Sequence, residues 1–203
     1  STDLVGSMII DALGEVGDAE AAPILLERME SAPTALRNKM VKALVGIMGN
    51  EPLSKLSSKE QELFAASLLD ALGDEDEEIQ DAAVFGLGNV GGEKASQAVI
   101  DIAAGLDPVT DLERLEGIAQ SLAKMGLTGS LMDCVHNCGW KPGMVAIRAV
   151  EAIGDPDGAD TLMKAFWNKD LEMQRKMVTA LVALAPAEAG PFFQDLVERH
   201  EDG

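Results

Sequence analysis

The sequence predicts an all-α fold, a right-handed α-α superhelix (solenoid) of about six helical hairpins, and three observations carry that reading. One short pattern recurs along the chain: a small residue, then Leu or Val, then an apolar residue three positions on. It is written at Ala12-Leu13 with Val16, Ala43-Leu44 with Ile47, Gly86-Leu87 with Val90, Ser121-Leu122 with Met125, Ala149-Val150 with Ile153 and Ala180-Leu181 with Leu184. The Leu or Val positions recur about every 34 residues on average, within the range of helical repeat arrays. Apolar residues make up 47% of the chain but aromatics only 3%, with no Tyr, so Ala, Leu, Met, Ile and Val must build the core. That composition suits close-packed helices and not sheets. Glycines, finally, fall where the first helices of hairpins one to five should stop.

Each hairpin's first helix follows from its stripe. Four residues before the Leu or Val stand Ile9, Met40, Ala83, Ile118, Ala146 and Met177, which with the pattern itself make an i, i+4, i+7 face. In hairpin one this predicts a helix over 3–17 stopped by Gly17, then a second over 19–30 with Leu25 and Met29 inward. Hairpin two reads as 34–48, stopped at Gly49; an insertion from Asn50 to Ser58 carrying Pro52 delays its second helix to about 59–73, with Leu68 and Leu72 inward. Hairpin three reads as 77–90 with 93–105, turning at Gly91 and burying Val99 and Ala103. Hairpin four reads as 110–125 with 128–138, turning at Gly126, with Cys134 and Cys138 at the inward positions. Hairpin five, 142–153 with 157–168, turns through Gly154-Asp155-Pro156-Asp157-Gly158, residue types that turns prefer, and buries Leu162 and Phe166. Hairpin six, 170–184 with 187–200, is stopped by Ala185-Pro186 and turns Phe193 and Val197 inward; its last residues, 198–203, are a polar finish that suits a terminal cap.

The stretch Ala12 to Leu26, and with it Ile153-Gly154-Asp155-Pro156-Asp157 followed by Leu162, resembles HEAT-like repeats of the phycobilisome-lyase type. The likeness extends over nearly the whole chain and is weakest in hairpins two and four, where the Gly-Asp turn becomes Gly49-Asn50 and Gly126-Leu127. It implies an interaction scaffold more than an activity. It also implies that the second helices line the concave surface.

Charge and composition narrow the partners. A net charge of −19 repels a phosphate backbone, so no nucleic acid is expected, while a partner with a basic stretch is favoured. Acidity that merely keeps a repeat protein soluble is the plainer alternative. Two cysteines make no disulfide framework, and there is neither a secretory leader nor an apolar run of about 18 residues. The expectation is one HEAT-like domain over 1–203 in the cytoplasm, with no membrane and no cofactor. The chain opens on Ser1-Thr2-Asp3 without an initiator methionine, as a trimmed chain or a segment of a longer protein would.

Few residues look like chemistry. Cys134-Val135-His136-Asn137-Cys138 offers soft ligands for zinc or copper(I). Both cysteines stand where other hairpins place core residues, however, and no fourth ligand is evident, so they are expected to be buried, reduced and metal-free. Asp74-Glu75-Asp76-Glu77-Glu78 lacks calcium-loop spacing and reads as helix capping beside a solvated turn. With no catalytic set complete, the expected function is a non-catalytic scaffold binding a protein or peptide. If the second helices do line a groove, one position of each forms a ladder along it: Glu27, Asp70, Asp101, His136, Lys164 and Asp195, with Trp140 and Trp167 close by. Acid would then meet the partner at one end, and tryptophan with mild base at the other. Packing of both tryptophans at hairpin junctions is the alternative. Handling of a bilin or other tetrapyrrole is a second function the resemblance implies; the scarcity of aromatics argues against it. Repeated His-Glu pairs, as in the HEAT-like iron hydroxylases, are absent, and the acidic charge is wrong for the HEAT-like DNA glycosylases.

Overall fold

A computed structural model describes residues 2–29, 31–49, 51–184 and 189–201. Among them there are twelve α-helices, three short 3-10 turns and no strand. The hairpins are α1 (Thr2–Val16) with α2 (Ala22–Met29), α3 (Thr34–Met48) with α4 (Ser58–Ala71), and α5 (Glu77–Val90) with α6 (Glu93–Gly105). Then follow α7 (Leu112–Met125) with α8 (Gly129–Asn137), α9 (Trp140–Ile153) with α10 (Pro156–Ala165), and α11 (Leu171–Leu184) with α12 (Ala189–Glu201). The chain is an all-α helical repeat. Ala185-Pro186, expected to stop α11, lie outside the described residues.

Local chemistry explains the starts and stops. Ser57 caps α4 in a full capping box, its hydroxyl accepting from the Glu60 N–H while the Glu60 carboxylate accepts from the Ser57 N–H. Asp76, Thr128 and Asp155 cap α5, α8 and α10 with side-chain oxygens. The acidic run at 74–78 is capping, as expected: Asp74 accepts from the Asp76 N–H at 2.8 Å and also takes the Asn38 side-chain amide. At the stops, Gly154 is left-handed at φ 72°, ψ 12°, and Gly126 has φ 81° with extended ψ, a region open almost only to glycine. Gly49 departs from the expected left-handed cap. It stays right-handed at φ −58°, because the chain runs on through the insertion and a 3-10 turn, Leu53–Lys55, before α4.

The chain divides into two compact units, Ser1–Val99 and Ile100–Gly203. In the first, α1, α3 and α5 lie side by side, with α2 and α4 as a second layer. Its core holds Leu26, Met29, Leu44, Phe64, Leu68 and Leu87, all fully buried. In the second, α7, α9 and α11 lie side by side with α8 and α10 behind them, around Leu122, Leu131, Ile147, Leu162 and Met177. The expected stripe is buried throughout hairpin two and, apart from the half-buried Ile153, in hairpin five, the two hairpins with a neighbour on each side within their units. It fails at the outer hairpins: Ile9 is 55% exposed, Val16 75% and Val197 57%.

One expectation about the core is corrected. Cys134 and Cys138 are joined in a disulfide and are not reduced. Cys134 is buried as expected, but Cys138 is half-buried. The helix ends between them. Cys138 takes extended angles, its N–H still bonds the Cys134 carbonyl oxygen, and the two Cα atoms stand 4.6 Å apart, so the sulfurs meet across the last turn.

Candidate functional site

The second unit has a pocket of about 470 Å³ on its first-helix layer. It lies between α7, α9 and α11, and the buried Gly143 of α9 makes room for the Met173 side chain of α11, whose methyl carbon would stand 2.5 Å from a Cβ there. The apolar lining comes from Leu112, Leu115, Trp140, Met144 and Ile147. Leu112 is 66% exposed and Trp140 36%, so large apolar surface faces the opening.

Charge is arranged around that lining. Arg148 reaches across from α9 to Glu116 on α7 at 3.4 Å and along its own helix to Glu151 at 3.0 Å. Bonding to Glu151 and then Glu116 holds the guanidinium's proton still more firmly than usual. Glu172, Lys176 and Lys141 complete the rim. Three acids and three bases around an apolar lining suit an amphipathic segment: an apolar side chain in the pocket and polar groups at its lip.

All seven candidates from the sequence, Glu27, Asp70, Asp101, His136, Trp140, Lys164 and Trp167, are exposed. They are not all brought together. Trp140, at the start of α9, belongs to the pocket on the first-helix layer, whereas His136 and Lys164 lie on second helices α8 and α10. Lys164 is paired with Asp160, one turn earlier. Asp70 stands 4.0 Å from Arg37. The carbonyl oxygen of His136 accepts from Lys169 at 2.8 Å, and burial pulls the Lys169 ammonium below its usual range. Trp167 joins an aromatic cluster, edge-on to Phe166 at 5.2 Å with Phe192 beyond, and Arg199 lies 4.3 Å over its ring. It thus packs at a hairpin junction while staying 42% exposed.

Leu112, Lys141, Met144, Arg148 and Lys176 lie outside the sequence candidates because the ladder was drawn on second helices, whereas these five stand on the first-helix layer. The signal was nonetheless there. Two residues before the repeat's Leu or Val, hairpins two and five carry Lys42 and Arg148, cations in an acidic chain. Both bridge to a neighbouring hairpin, Lys42 to Glu78 and Arg148 to Glu116.

Among the described residues, no group of three or more His, Cys, Asp or Glu is placed to hold a metal ion, and no helix is long and apolar enough to cross a membrane. The fold and this surface define an α-helical repeat protein with an open, amphipathic pocket on one face. The family model of the PBS lyase HEAT-like repeat matches residues 7–31, which are most of α1 and the whole of α2. With the hairpins that follow, that match supports a HEAT-like repeat protein. No curated protein matches the chain.

Proposed function

We propose that the protein is a non-catalytic scaffold that binds a protein or peptide carrying a basic stretch. The observation that supports this most is the pocket of α7, α9 and α11, where Trp140, Leu112 and Met144 offer an apolar seat inside a charged rim. Tryptophan at such a seat is a frequent source of binding energy. The basic character of the partner draws on the net charge of −19 and on the exposed acids Glu27, Asp70 and Asp101. His136, Lys164 and Trp167 on the second-helix side are the competing contact surface.

The test uses a defined probe, an 18-residue amphipathic peptide of leucine and lysine, with its glutamate counterpart as control. Binding is followed by tryptophan emission and by calorimetry. The lysine peptide is expected to bind, more weakly as salt rises, and Trp140→Ala to weaken it at least tenfold. Equal loss in Trp140→Ala and Trp167→Ala would give the second-helix side a share. No loss in Trp140→Ala, or equal binding of the glutamate peptide, would sink the proposal. The alternative, handling of a tetrapyrrole, draws on the repeat family's name; a shifted absorption band on adding free bilin would favour it.

A further inference from the structure

We propose that the Cys134–Cys138 disulfide is a redox switch that sets the position of Trp140 and with it the affinity of the pocket, an inference that rests on the pocket being the binding face. The bond joins no separate elements. Its partners are four residues apart in sequence, so it restrains the unfolded chain far less than a long-range bond would and adds little to the fold. What it holds is one turn. Only Cys138 and Gly139 separate α8 from α9, and Trp140, which lines the pocket, is the first residue of α9.

Cys138 departs from its equivalents in the repeat. Sixteen residues past the repeat's Leu or Val, hairpins one, three and five carry Met29, Ala103 and Phe166, and Leu72 takes the same role in hairpin two after its insertion. All four are buried. Met29 and Ala103 lie within helices, and Leu72 and Phe166 keep right-handed helical angles just past the ends of theirs. Cys138 is half-buried instead and leaves the helix with an extended ψ of 152°. A regular helix would hold residues four apart at about 6 Å between Cα atoms. The bonded pair stands at 4.6 Å, so the bond draws Cys138 against the last turn and the chain departs outward. Once the bond is cut, Cys138 is free to take the helical, buried place of its equivalents, and Gly139 is the residue type that then ends a helix. α8 would run one residue further, and the link to α9 would shorten from two residues to one. Lys169 holds the end of α8 through the His136 carbonyl oxygen at 2.8 Å, so the displacement falls on the start of α9, where Trp140 stands. The bonded state presents Trp140 to the pocket already in place, and reduction weakens binding by removing that preorganisation.

The chemistry is thiol–disulfide exchange with a dithiol. Its thiolate attacks the sulfur of the half-buried Cys138, and the S–S bond breaks as the buried Cys134 leaves as a thiolate and takes up a proton. The second thiol of the reductant then displaces Cys138 from the mixed disulfide. Two electrons and two protons pass to the cysteines, and the reductant departs as a cyclic disulfide. The test uses the full chain carrying Trp167→Phe, so that Trp140 is the sole tryptophan. Dithiothreitol should shift the Trp140 emission, and glutathione disulfide should restore it. The leucine–lysine peptide should bind the reduced chain at least fivefold more weakly. Cys138→Ser should show the reduced emission and affinity without reductant and should not respond to it. A chain with both Cys134→Ala and Cys138→Ala is the second variant, and far-UV circular dichroism checks that each stays folded. Unchanged Trp140 emission after complete reduction overturns the proposal, as does equal peptide affinity in the two states. Loss of helix on reduction also overturns it, because the bond would then be holding the fold. A shifted emission with peptide binding in neither state supports the movement of Trp140 and overturns the pocket as the binding face, so the two readings fail separately.

Discussion

A single methyl group at Gly86 tests whether the hairpins are locked in register by close contact. Gly86 lies on α5 where α3 and α4 converge. A Cβ there would fall 2.6 Å from one Leu68 methyl carbon, 3.1 Å from the other and 2.9 Å from a Val45 methyl carbon. Leu68 is fully buried, so it has no free space to swing into. Overpacking of this kind costs about 1–3 kcal/mol, and three contacts this short call for the upper half of that range. Alanine regains about 1 kcal/mol over glycine in a helix interior, which leaves Gly86→Ala net destabilising by about 1–2 kcal/mol. Gly117, on α7, is the control. Nothing lies within 4 Å of its added Cβ, so Gly117→Ala should be stabilising by about 0.5–1 kcal/mol. Urea unfolding followed by far-UV circular dichroism reads both, with the midpoint moving in opposite directions at unchanged slope. If Gly86→Ala stabilises as much as Gly117→Ala, the close approach of α3, α4 and α5 is not real and the register argument fails with it.

Gly126→Ala and Gly154→Ala should each destabilise by about 1–3 kcal/mol in the same assay, with Gly126 the worse because its angles lie where only glycine is at ease. Stability should be complete above the usual carboxylate range and fall as pH drops below about 4. The reason is that the Asp76 N–H and Asn38 hold Asp74 below its ordinary 3.8, the Thr110 and Val109 N–H groups do the same for Asp107, and Ser57 does so for Glu60. These carboxylates bind fewer protons folded than unfolded at low pH. Their contribution is therefore lost as pH passes down through the depressed folded values. Asn38→Ala should shrink that loss, and a urea midpoint flat from pH 6 to pH 3 would contradict this reading. Iodoacetamide should add nothing to the native protein and two groups after reduction, read by intact mass, since Cys134 and Cys138 are joined.

The hairpins were legible in the sequence because their causes are local. Glycine after an apolar stripe, Asp or Ser ahead of the next one, and a proline-bearing insertion fixed the helix ends to within a few residues. The proposed binding face was less legible because it depends on which layer a residue joins. Trp140 and Trp167 follow the repeat's Leu122 and Val150 at nearly the same distance in sequence, yet Trp140 opens α9 at the pocket and Trp167 lies just past the end of α10 inside an aromatic cluster. The disulfide is illegible for a related reason. Core-register spacing of Cys134 and Cys138 implies a continuous helix face, whereas α8 stops at Asn137 and Cys138 turns out of the helix.

Amide hydrogen exchange, with and without the leucine–lysine peptide at saturating concentration, tests the scaffold reading most directly. Its central statement is that a partner seats on the layer of α7, α9 and α11. Added protection is expected at the start of α7, over residues 140–148 of α9 and over residues 172–179 of α11, while the exposed faces of α8 and α10 keep the exchange they have in the free protein. Protection that appears instead around His136, Lys164 and Trp167, with the pocket helices unchanged, would contradict it.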